Sequence, residues 1–123
     1  MKINNQKDPI GSLRISQNVI ATIARTTARE IDGVAALTHL PADFKQILSK
    51  RQMPKPVSVT LADDIASIDM YLLLKEGAKI PLVCERVQQA VKESVQSMTG
   101  ITVSKVNVMV SGITFDKSSV SEA

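Results

Sequence analysis

The stretch SMTGITVSKVNVMVSGITF, residues 97–115, changes period in its middle. Up to Gly100 the apolar residues recur at helical steps. From Ile101 onward they alternate with polar ones, as on a strand with one buried face. Val106, Val108 and Val110 share a phase, whereas Ile101 and Val103 are out of it by one. A bulge near Ser104 and Lys105 reconciles the two sets. The stretch holds no His, Cys or carboxylate. It is framework, and it sets the class: a long helix feeding directly into a strand.

Upstream, the spacing predicts that helix over roughly Ile80 to Thr99. Its apolar stripe is Ile80, Val83, Cys84, Val87, Val91, Val95 and Met98, with Ala90 alongside. Pro81 fits the first turn, where its missing N–H has no partner to lose. Before the helix, VSVTLADDIASIDMYLLLKEG (57–77) predicts a hairpin. Val57, Val59 and Leu61 alternate, Asp63 and Asp64 turn the chain, and Ile68, Met70, Leu72 and Leu74 alternate on one face. Ser67, Asp69, Tyr71 and Lys75 point the other way, so one face of the sheet is open.

Nearer the N-terminus, SQNVIATIARTTAREIDG (16–33) predicts a first helix. Val19, Ile20, Ile23, Ala24, Thr27, Ala28 and Ile31 lie on one face. Ser16 is its N-cap, Ile15 and Ile20 have the spacing of a hydrophobic staple, and Gly33 is the left-handed stop. SLRI (12–15) and VAAL (34–37) are short strand candidates. The expected fold is α+β: two amphipathic helices packed on one face of a mixed, mainly antiparallel sheet. Residues 11–115 form the single domain, residues 1–10 a flexible lead-in and residues 116–123 a flexible tail.

The chain has 123 residues, enough to bury a core without disulfides or metal. Aromatics are restricted to Phe44, Tyr71 and Phe115, too few to build a stacking platform for single-stranded nucleic acid. The first residues carry no apolar signal-like run. No stretch approaches the roughly 20 apolar residues that span a bilayer, so membrane association is expected to be peripheral or through a partner. The net charge of +3 is localised. Between His39 and Pro56 stand Lys45, Lys50, Arg51 and Lys55 against Asp43 alone, while the remainder balances.

GSLRISQNVIATIARTTAREIDGVAAL resembles the opening of the alkaline shock protein family, the envelope stress response family of Gram-positive bacteria. The matching residues are Gly11, Ile15, Ser16, Val19, Ile20, Ala24, Gly33 and Val34. IDMYLLLKEGAKI and VCERVQQAVKESVQSMTGITVSKVNVMVSGITF are similar to the family's second half: a strand, a glycine, a long helix with a Thr-Gly stop, and a Val-Asn-Val strand. The chain departs from it at Lys75-Glu76, where the family often has a Tyr before the glycine, and at Pro81, where a polar cap is common. The resemblance implies a non-enzymatic cytoplasmic protein, peripheral at the inner face of the cell membrane. It also implies a membrane-anchored protein partner and self-association. It supplies no catalytic residues and no cofactor.

Cys84 with His39 as base makes a thiol nucleophile, but Cys84 falls on the apolar stripe and packs as a small hydrophobe. One His and one Cys leave no zinc-like ligand set. The glycines stand singly, so neither a phosphate loop nor a G-x-x-G clamp on nucleic acid is written. A nucleic-acid module using the connector Lys45–Lys55 is the alternative function, and nucleic acid is not the expected partner. The connector DFKQILSKRQMPK sets Phe44, Ile47 and Leu48 on one side of a basic turn. Either they cap the core, or the turn meets an anionic surface. Candidate contacts with a partner or an anionic surface are Lys45, Lys50, Arg51, Lys55, Arg25 and Arg29. Gln88, Gln89, Lys92 and Gln96 are expected on the wet side of the second helix.

Overall fold

The computed structural model describes residues 10–38 and 55–115. The elements run α1 (Gln17–Arg29), β1 (Val34–Leu37), β2 (Val57–Ala62), β3 (Ile65–Lys75), α2 (Ile80–Thr99) and β4 (Thr102–Thr114). The expected α+β class holds, with both helices against one face of a mixed sheet.

Every pairing in the sheet is made to β3. β2 runs antiparallel along its first half, from Ala62 opposite Ile65 to Val57 opposite Met70. β1 runs antiparallel along its last residues on the same edge, with Leu37 opposite Leu72 and Val34 opposite Leu74. β4 takes the other edge and runs parallel for the whole length, from Ile65 opposite Thr102 to Lys75 opposite Thr114. A parallel neighbour requires a crossover, and α2 supplies it. The β2–β3 turn has only Asp63 and Asp64, at φ 53 and 64. Two consecutive left-handed residues are what a tight hairpin needs, and Asp tolerates them.

β1 and β2 behave as one interrupted strand. Tyr71 accepts from the Thr38 N–H at 3.0 Å and donates to the Pro56 carbonyl at 2.9 Å. In an antiparallel ladder those two bonds normally come from a single opposing residue. The chain therefore departs and returns at one rung.

The core lies between the helices and β3. Ile68, Met70, Leu72 and Leu74 are fully buried, as their alternation predicts. So are Val87, Val91 and Val95 of α2, and Ile20, Ala24 and Ala28 of α1. Each of the larger side chains contributes about 1.5–3 kcal/mol on leaving water. Both helices begin and end for local reasons. The Ser16 hydroxyl accepts the Val19 N–H at 3.2 Å, as expected of an N-cap. Gly100 closes α2 at φ 77.

Several readings need correction. Residues 12–15 form no strand: every pairing in the sheet is made to β3, and its edges are taken by β1, β2 and β4. α1 ends at Arg29, capped by Glu30 in a right-handed conformation. Gly33, at φ 102, serves the turn into β1 instead, where a Cβ would stand 2.8 Å from Val83 Cγ2. The stripe of α2 is shorter than its periodicity implies, because Ile80 and Met98, at its two ends, are exposed. β4 carries the expected irregularity at Ser104 and a second one at Ser111. Leu73, opposite in phase to the core residues, is nevertheless buried. Phe44, Ile47, Leu48 and the connector turn lie outside the described residues.

Candidate functional site

Two surfaces stand out once the sheet is assembled, and both are edges. In a strand, successive residues turn their backbone groups to alternate sides. On β4 the Val103 N–H donates to Gln96 Oε1 at 2.9 Å, and Gln88 Nε2 donates to the Val106 carbonyl at 3.1 Å. These groups face away from β3, and two α2 side chains cover them. Of the residues expected on the wet side of the helix, Gln88, Gln89 and Lys92 are exposed and Gln96 is half-buried; Gln88 and Gln96 also stitch the helix to the outer edge of the sheet. Gln17 does the same on the other edge, donating through Nε2 to the Val59 carbonyl at 2.9 Å.

Beyond Val106 no strand pairs with the outer side of β4 among the described residues. Val108 and Val110 share the outward phase of Val106. From Val106 to Phe115 the sequence contains no charged residue. Met109 is 57 % exposed and Phe115 59 % exposed, with Ile113 also at the surface. Natural edges are usually guarded by Lys, Pro or a bulge; here only the irregularity at Ser111 interrupts the run. On the open face the Asn107 amide donates to Asp69 Oδ1 at 2.7 Å, so Asp69 is partnered by an amide rather than by Lys75 or Lys105.

The second surface is a cleft of about 390 Å³ between α1 and β2. Asn18, Thr22 and Arg25 line it from one side, at helical spacing, and Lys55 to Val59 from the other. Arg25 and Lys55 were both singled out by charge, and the packing of α1 on β2 brings them to one cleft. Among the described residues neither takes part in an ion pair. Arg29 is exposed in the last turn of α1 and does not line the cleft. Lys45, Lys50 and Arg51 lie outside the described residues. The contribution of Asn18, Thr22 and Ser58 was missed, although the Asn18–Thr22–Arg25 stripe was readable from its spacing.

Cys84 is the one cysteine of the chain. The thiol is half-buried on α2, and burial pushes its pKa up, away from the reactive thiolate. His39 lies outside the described residues. Among the described residues no three His, Cys, Asp or Glu gather as metal ligands. No helix there is long and apolar enough to cross a membrane.

The arrangement defines a small α+β domain whose surface features are an open sheet edge and a basic cleft. The chain belongs to the alkaline shock protein 23 family, whose pattern matches residues 5–115 and whose description is cell envelope-related function. It is 32 % identical over 117 residues to YqhY of Bacillus subtilis, covering 94 % of this chain and 87 % of that protein. It is 36 % identical over 112 residues to Spy1614 of Streptococcus pyogenes, covering 89 % and 91 %. A solved MamM CTD is similar in fold alone, with a TM-score of 0.50 and 10 % identity over 79 % of this chain and 98 % of that one.

Proposed function

We propose that this chain is a non-enzymatic scaffold or adaptor of the cell envelope stress response, working through protein–protein contacts. It acts in the cytoplasm, at the inner face of the membrane, by joining copies of itself and a membrane-anchored partner. Residues 11–115 carry this role, with 1–10 and 116–123 as lead-in and tail. The family's envelope-related description supports the setting. The observation that carries the reading is the outer edge of β4, whose first half is capped by Gln88 and Gln96 and whose second half is uncharged and has no strand beside it among the described residues. Backbone groups on such an edge accept an added strand.

The test is the mass of the full chain in solution as a function of concentration. The expected result is a mass that rises with concentration. Val110→Pro removes an outward N–H at an edge where proline is tolerated; it abolishes the rise, and because Val110 also packs against the core it lowers the unfolding midpoint modestly while the chain stays folded. Crosslinking in cells then recovers a membrane protein with the wild type. A chain that stays monomeric at high concentration and captures no membrane protein refutes the reading.

A further inference from the structure

We infer that the cleft between α1 and β2 is a phosphate-binding site, for a phosphate carried by a small molecule or by a lipid headgroup. Two cations of different geometry line it: the Arg25 guanidinium from the helix and the Lys55 ammonium from the start of the strand. Among the described residues no carboxylate lines it. Its floor is the outer edge of β2. The Val59 carbonyl accepts from Gln17 and therefore faces away from β3. By strand alternation the N–H groups of Val57 and Val59 face the same way. The cleft thus presents a planar fork, a point charge and two edge donors.

Donors arriving from a helix and from a strand suit an anion whose oxygens spread tetrahedrally. A planar carboxylate with two oxygens would leave some of them unused. The volume of about 390 Å³ exceeds what a bare phosphate needs and leaves room for the small organic group attached to it. This reading does not rest on the β4 edge, which lies on the far side of β3.

The experiment follows backbone amide shifts of Val57 and Val59 in the full chain. Inorganic phosphate, glycerol phosphate and acetate are titrated in turn. In parallel, the chain is sedimented with phosphatidylcholine vesicles, with and without phosphatidylglycerol. Phosphate or glycerol phosphate is expected to give saturable shifts, and acetate none. Arg25→Gln and Lys55→Gln each weaken binding about tenfold, the loss of one charge-assisted contact, while Arg29→Gln has no effect. Lys55 is exposed, so its variant tests the site without endangering the fold. Shifts with the soluble ligands identify a small-molecule source. Sedimentation with phosphatidylglycerol vesicles alone, abolished by Lys55→Gln, identifies a headgroup. Equal shifts with acetate, no saturable binding in either arm, or vesicle binding indifferent to Arg25 and Lys55 overturns the proposal. Solution mass is unchanged in both cleft variants, which separates this result from failure of the scaffold reading.

Discussion

Replacing Gly33 with alanine tests the close approach of the β1 turn to α2. Two costs arise, and they are separable. The first is the backbone: at φ 102 an L-residue is strained by about 1–2 kcal/mol or more. The second is space. The new Cβ would stand 2.8 Å from Val83 Cγ2, whereas carbon atoms settle at about 3.5–4.0 Å. Val83 is buried, β-branched and helical, so one χ1 rotamer dominates and it cannot turn aside. Overpacking of this kind costs about 1–3 kcal/mol. Reduced freedom of the unfolded chain returns about 0.4–1 kcal/mol. The expected net destabilisation is therefore about 2–4 kcal/mol, a large part of the total for a domain of this size. Gly100→Ala is the control. It has a positive φ of 77 and nothing within 4 Å of the added Cβ, so it keeps only the backbone cost of about 1 kcal/mol. Urea unfolding of both variants gives the difference. Adding Val83→Ala to Gly33→Ala removes the clashing methyl, and the pair should be less destabilised than the two single changes added together. If Gly33→Ala proves no worse than Gly100→Ala, or if the double variant is strictly additive, the packing argument is wrong.

Lys79 caps α2 with no side-chain hydrogen bond, so Lys79→Asp supplies both an acceptor and a favourable charge. A gain of about 1 kcal/mol in thermal or urea unfolding is expected, and no gain refutes the assignment of the cap. Gln96→Ala leaves the Val103 N–H without its acceptor; a loss of about 1 kcal/mol in unfolding is expected, along with stronger concentration dependence of solution mass as more of the edge is uncovered. The Cys84 thiol is held above its ordinary pKa by burial. Alkylation at neutral pH should therefore be slower in the folded chain than in urea, and the gap should narrow as pH rises through the folded value. The same sign makes this group's small contribution to stability present at neutral pH and lost in alkali. Equal alkylation rates at neutral pH would refute the burial argument.

Local signals were legible in the sequence. The β2–β3 hairpin was written by alternation and an Asp-Asp turn, and the Val83–Val95 stripe by helical spacing. The first irregularity of β4 showed as a phase error between Val103 and Val106. What escaped was non-local. Nothing in the alternation of β4 says that its neighbour is β3 or that the pairing is parallel. A glutamine on a helix looks wet until a strand edge lies beneath it, so Gln17, Gln88 and Gln96 carried no local mark. Arg25 and Lys55 were chosen for charge, yet their shared cleft follows from α1 lying across β2. Leu73 broke the alternation because burial depends on neighbours as well as on phase.

The single rung at Tyr71, which holds both Thr38 and Pro56, makes the stretch between them a cassette. Its two attachment points sit side by side, so its length is thermodynamically cheap to vary: doubling a loop costs only about 0.6 kcal/mol. Closing the chain between Thr38 and Pro56 therefore fixes no particular length for that stretch, and the strand on which every other strand depends keeps its rung at Tyr71.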